Sequence, residues 1–254
     1  MKRLSYFLIA ILMLPLALHA QSKSSLNAEA GKLYNAGNAM LKAGNYSGAI
    51  EKYRAALEIQ KDYRIYYQMG LALKKSGKLD EALESYENAV KMKPDFHLGY
   101  NAIGGVYIIK KNYAKASVSY RKALELKKGF RPANIGLAAA NTGQASQLVK
   151  RSSFEKALPL LKEAIEVAPT YGNAYLYLAI VYNKLGKSDA AIDAATKAIK
   201  YLKPRSRGAA YFELGVAYRN KGNVAKAREA FMKAKKDPKF SRNAKYEIER
   251  LPKH

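Results

Sequence analysis

From about residue 30 to about residue 250 the chain alternates amphipathic stretches with polar breaks such as Ala43-Gly44-Asn45, Ser76-Gly77-Lys78 and Lys221-Gly222-Asn223. Inside each stretch the apolar residues recur three and four positions apart, the period of a helix that buries one face. Glycine in the break supplies the left-handed backbone that ends one helix, and the polar residue after it starts the next. The pattern predicts an all-α chain of paired helices.

The pairs are in register with one another. The alanine of Ser47-Gly48-Ala49-Ile50 recurs as Ala82, Ala116, Ala157, Ala191 and Ala227, at intervals of 33, 34, 41, 34 and 36. Seven residues after each stands another alanine: Ala56, Ala89, Ala123, Ala164, Ala198 and Ala234. Twelve residues before most of them is Gly37, Gly70, Gly104, Ala179 or Gly215. Small residues at helix crossings let backbones approach closely, and Tyr53, Tyr86, Tyr120, Leu161 and Phe231 then fill the space toward the next unit.

These residues carry a resemblance. The run Tyr66-Tyr67-Gln68-Met69-Gly70, followed by Leu73, Ala82, Tyr86, Ala89 and Pro94, resembles the 34-residue tetratricopeptide repeat, W-x2-L-G-x2-Y…A-x3-F…A…P. Tyr211, Leu214, Gly215, Tyr218, Ala227, Phe231 and Ala234 match it again. The resemblance implies a right-handed α-solenoid of six helix pairs, at 30–63, 63–96, 97–130, 130–171, 172–207 and 208–241. A capping helix and tail at 242–254 would cover the last unit, with Ala244, Ile248 and Leu251 facing inward. The fourth unit departs from the period. Counted from Gly136 to Ala157, nine extra residues are expected near 144–152, as a longer helix, a loop or a contact element. Pro159 is expected to kink the second helix of that unit.

Members of this family line a concave groove with their first helices. The resemblance implies that Tyr34, Asn38 and Lys42 do so in the first unit, and Arg64, Tyr67, Leu71 and Lys74 in the second. Asn101 and Ile108 follow in the third, Leu137 in the fourth, Leu176 and Ile180 in the fifth, and Phe212, Val216 and Arg219 in the sixth. The expected groove is basic, amide-bearing and aromatic at its N-terminal end and apolar at its C-terminal end, unless the capping helix or a tight superhelix covers it. A chaperone-type carboxylate clamp does not fit. Of its five positions, which hold Tyr34, Asn38, Gln68, Leu98 and Ala102, only Asn38 has the required chemistry.

Residues 1–20 read as an address. Lys2 and Arg3 precede an apolar run over residues 4–18, and Ala20 offers a small residue before the polar Gln21-Ser22-Lys23-Ser24-Ser25. This is the layout of a secretory signal peptide, followed by a polar leader at 21–29. The run is shorter than the ~20 residues that span a bilayer comfortably. Leu18 is large for its place before the cut, which keeps an uncleaved inner-membrane anchor open as the alternative. The expectation is an exported protein, periplasmic or secreted.

Composition narrows the chemistry. The 254 residues include no Cys, which removes disulfides, thiolate metal sites, a cysteine nucleophile and a lipidated N-terminal cysteine. Three His without ligand spacing give no metal centre, so no cofactor is expected. Lys and Arg number 45 against 20 Asp and Glu, a net charge of +25, so a partner met through the bulk surface is anionic. Nucleic acid is disfavoured because most of the Tyr residues sit at packing positions and an exported protein rarely meets it. No phosphate-cradling loop, nucleophile elbow or metalloprotease helix is present, so the chain is expected to bind rather than catalyse. Its expected partner is a protein segment with acidic and apolar groups. The alternative is a basic structural component held to anionic lipid, lipopolysaccharide or wall polymer by charge.

Overall fold

The computed structural model describes residues 25–252. Among them the chain forms thirteen α-helices and no strand. They pair as α1 (Ala28–Lys42) with α2 (Tyr46–Ile59), α3 (Tyr63–Lys75) with α4 (Leu79–Met92), and α5 (His97–Ile109) with α6 (Tyr113–Leu126). Next come α7 (Arg131–Lys150) with α8 (Phe154–Val167), and α9 (Gly172–Lys184) with α10 (Ser188–Tyr201). The last pair is α11 (Gly208–Asn220) with α12 (Val224–Ala234), and α13 (Pro238–Arg250) follows it. The expected signal segment at 1–20, residues 21–24 of the leader and residues 253–254 lie outside the described residues.

One turn is built six times. The backbone N–H of Asn45, Lys78, Asn112, Ser153, Lys187 and Asn223 each donates, at 2.9 Å, to the carbonyl five residues earlier. This closes the end of the first helix in a Schellman motif. The residue before each of them is left-handed: Gly44, Gly77, Gly186 and Gly222, but also Lys111 and Ser152, both at φ 57°. Asn45, Asn112 and Asn223 then cap the second helix, their side chains accepting from Gly48, Lys115 and Lys226 N–H.

Within each pair the two helices meet at the small positions. All twelve alanines of the two columns are fully buried. Gly37, Gly70, Gly104 and Gly215 lie flat against the rings of Tyr53, Tyr86, Tyr120 and Phe231; a Cβ there would stand 2.6, 2.7, 2.9 and 2.6 Å from the ring. Tyr53, Tyr86 and Phe231 are wholly buried as a result. Burial pushes the Tyr53 and Tyr86 hydroxyls far above the ordinary phenol range, so they stay neutral.

The fourth pair corrects the expected register. Its extra length is helical, since α7 has 20 residues where the other first helices have 13 or, in α1, 15. Gly136 does not face its own partner helix but packs against Tyr120 of the preceding one. Ala145, twelve residues before Ala157, is the fully buried small residue that shares a cluster with Ala157 and Leu161. The added residues therefore precede Ala145 instead of surrounding 144–152, and they extend contact along α6. There Ser117 Oγ donates to buried Asn141 Oδ1 at 3.0 Å. Pro159 sits inside α8, which runs through it without a break from Phe154 to Val167.

Successive first helices touch one another, from α1 against α3 through to α11 against α13, whereas successive second helices meet at most marginally. The first helices therefore form the inner wall of the solenoid. Helix α13 begins four residues earlier than expected, capped by Asp237. It packs on both α12 and α11, in the place of a further first helix, and buries Ala244 and Leu251 against Phe231 and Ala234.

Two outcomes check this packing. Gly70→Ala should lower stability to urea by about 1–3 kcal/mol through overpacking, although alanine favours a helix. Adding Tyr86→Leu, which copies the Ala145 and Leu161 pairing, should restore part of it; strictly additive losses would contradict the contact. Lys111→Gly should raise stability by about 1 kcal/mol by relieving the left-handed backbone, read in the same unfolding curves.

Candidate partner-binding wall

The inner wall is positioned by the same helix register that buries the small residues, which leaves one face of each first helix turned away from the second helix. The fifteen expected residues divide into three groups there.

The first group is accessible. Lys42 is exposed, and Tyr34, Asn38, Tyr67, Leu71, Lys74, Ile108, Leu176 and Ile180 are half-buried. Asn38 Oδ1 accepts a 2.7 Å hydrogen bond from Tyr53 OH, so its amide is oriented from behind. Tyr67 stands edge-on to Phe96, ring centroids 5.1 Å apart. Lys74 has no carboxylate partner among the described residues. Burial, and then neighbouring Lys75, pulls its ammonium below the ordinary lysine range. Asn101 is half-buried with its Oδ1 buried and unpartnered.

The second group is already engaged. The Arg64 guanidinium grips Asp62, Nε to Oδ1 at 2.8 Å and Nη2 to Oδ2 at 2.7 Å, while its backbone N–H donates to the same carboxylate. Asp62 is only 5% exposed; burial pushes its carboxyl up, but the Arg64 bonds outweigh this and leave it below the usual range. Arg64 thus has its guanidinium engaged at the start of α3. Arg219 pairs with Glu247 of α13. Phe212 packs against Phe231 and Phe240, centroids 5.4 and 5.9 Å away, and Val216 joins the same cluster. The C-terminal end is therefore less open than its apolar sequence implied, because α13 takes up this face.

The third group has one member. Leu137 is 2% exposed and belongs to the core with Tyr120 and Ala133, because the register shift in α7 turns it inward.

The structure also shows polar links that sequence reasoning missed, each joining neighbouring first helices. Ser146 Oγ lies 2.8 Å from Tyr177 OH, joining α7 to α9. Asn183 Nδ2 donates to Glu213 Oε2 at 2.8 Å and to its carbonyl at 2.9 Å, joining α9 to α11. The available signal was a polar residue interrupting the apolar run of each first helix. Elsewhere, on the outer side, a pocket of about 660 Å³ lies between α4, α5 and α6, floored by Val90, Tyr100 and Ile103. Its rim includes Val118, 66% exposed where other units carry Glu51, Glu84, Asp193 or Glu229. Among the described residues no group of three or more His, Asp and Glu could hold a metal ion, and no helix is long and apolar enough to cross a membrane.

Sequence profiles of the tetratricopeptide repeat match residues 63–96, 99–130, 160–193 and 184–239, and one of the TPR repeat matches 37–77. The chain carries tetratricopeptide repeats. These five matches leave out residues 131–159, which hold the long helix α7 and the turn after it. Among solved structures the repeat array is similar to YrrB, described as a TPR protein with an unusual peptide-binding site. The identity is 25% over 76% of this chain and 97% of that one, with a TM-score of 0.57. It is also similar to MamA, at 29% identity over 75% of this chain and 98% of that one, with a TM-score of 0.55. No curated protein matches it in sequence.

Glu213 supplies a pH test of the wall. Burial raises its carboxyl above the usual range, and Asn183 and then Lys184 only partly offset this. With the folded value above the unfolded one, the favourable contribution of neutral Glu213 is present below pH 4.5 and lost as pH rises through the folded value. Glu213→Gln should therefore gain in melting temperature relative to the parent between about pH 5 and pH 8. A constant difference across that range would contradict the assignment.

Proposed function

We propose that the chain is a non-catalytic scaffold of the bacterial cell envelope that holds a peptide or helical segment of a partner protein against its inner wall. The observation that carries this reading is the wall itself. Leu71, Leu176 and Ile180 remain half-buried rather than enclosed, and Lys74, on α3 with Leu71, has no carboxylate partner among the described residues. Apolar side chains open to solvent on a concave face are suited to anchors of an incoming segment, and an unpaired lysine to its acidic group. The likeness to YrrB supports a peptide as the kind of ligand. Lys42 and Lys74 place the acidic end of that segment at α1 and α3, and its apolar anchors at α9. The envelope location rests on the signal-like residues 1–20.

The test is selection from a displayed peptide library on the immobilised chain, followed by titration of the selected peptide. Ile180→Asp and Lys74→Glu should each weaken binding by about tenfold or more, with the helical signal and melting curve retained. Phe212 is unsuitable for this purpose because its ring also packs the core. The complex should largely survive about 0.5 M salt, since apolar anchors are not screened. Selected peptides that ignore both substitutions, or that all dissociate in salt, would overturn the wall as the binding surface and favour association through bulk positive charge.

A further inference from the structure

The connection between α10 and α11 departs from the repeat. It spans six residues, 202–207, and includes a 3-10 turn at Pro204–Ser206, where the other connections between pairs have three or four. This extra length accounts for the 36-residue interval between Ala191 and Ala227. It brings Arg205 and Arg207 beside Lys233 and Lys236 at the end of α12, around a pocket of about 410 Å³ that also includes Tyr211 and Asp237. None of the fifteen inner-wall residues lines it.

Most of the positive charge there has no internal partner. Lys233 Nζ lies 2.7 Å from Glu229 Oε1, above the Tyr211 ring at 5.7 Å. Arg207 donates through Nε to Leu202 O at 3.0 Å, which fixes its head and leaves both Nη groups without a bond among the described residues. Arg205 and Lys236 make no ion pair among the described residues. Asp237 lies against Gly208 at the start of α11 and accepts from Lys239 N–H at 3.0 Å, which caps α13. Attraction must come from the side chains. Four cations set against Glu229 and Asp237 leave a surplus of two. Around them, residues 200–252 hold fifteen Lys and Arg against five Asp and Glu.

We propose that this pocket binds a phosphomonoester on a small polar body, either a free sugar phosphate or a lipid headgroup that ends in phosphate. A phosphomonoester carries about −1.5 to −2 charge at neutral pH, which matches the surplus. Guanidinium forks bond phosphate oxygens in pairs, and two arginines on one short turn can engage one group together. The volume falls within the range of small-ligand sites, and the Tyr211 ring offers a flat wall for the attached body.

The experiment uses the full chain with two probes. One is glucose 6-phosphate in calorimetric titration; the other is phosphatidylcholine vesicles containing phosphatidic acid, compared with phosphatidylglycerol vesicles of matched surface charge. Binding of either phosphomonoester is expected, and which probe binds identifies the source. Arg205→Gln with Arg207→Gln should cost about tenfold or more in affinity, and Lys236→Gln alone, on an exposed side chain, a smaller loss of the same kind. Lys128→Gln with Lys156→Gln removes equal charge elsewhere and should leave affinity nearly unchanged. Binding of neither probe, equal binding to phosphatidylglycerol, or an equal loss in the control pair would overturn the site. The inner-wall proposal is unaffected by any of these results.

Discussion

The array depends on how closely two helical backbones approach at one point in each pair. Where the second helix presents a ring, at Tyr53, Tyr86, Tyr120 or Phe231, the residue facing it has no Cβ, because a Cβ would lie inside the ring's contact distance. Where the second helix presents Leu161 or Ala195, an alanine suffices, at Ala145 and Ala179. The volumes on the two sides compensate, as close packing requires. With that distance set, the alanine columns bury completely and each pair presents the same shape to the next.

This local complementarity is why most of the fold could be read without coordinates. Small residues in constant phase, with glycine and asparagine at each break, describe contacts within some twenty residues of chain. The fourth pair shows where such reading stops. Gly136 and Ala145 are both small and both on α7, and the interval alone does not say which faces α8. The answer lies with Tyr120 on another helix, which claims Gly136. That shift also hides Leu137. The inner wall has the same difficulty on a larger scale. Helix position tells which residues face inward, but whether they are available depends on neighbours: Asp62 engages Arg64, Glu247 engages Arg219, and Phe240 covers Phe212. Asn183 and Glu213, isolated polar residues in apolar stretches, gave no hint of each other.

The two ends of the wall therefore differ in kind. Toward α9, α11 and α13 side chains on neighbouring helices pair across the wall, Asn183 with Glu213 and Arg219 with Glu247, and these links stiffen this part of it. Toward α1 and α3 it keeps Lys42 and Lys74, which have no carboxylate partner among the described residues. The two insertions into the 34-residue period also differ. The longer interval around α7 is absorbed as helix and changes packing, whereas the shorter one before α11 is spent on a loop and gathers arginines. An insertion that becomes helix alters the scaffold; one that stays irregular adds chemistry at the surface.

Helix α7 has one more consequence. The buried residues collect mainly into one cluster ending at Val106 and another beginning at Ala145, with α7 and its contacts to α6 between them. Each side of α7 answers to a different neighbour, Tyr120 on one and Leu161 on the other, and the polar Asn141 and Thr142 are buried at the junction. In a linear array, cooperativity passes only through adjoining units, so the extended contact of α7 with α6, which includes the Ser117–Asn141 hydrogen bond, couples the two clusters. Helix α7 is thereby the splice through which the two halves of the array share their stability.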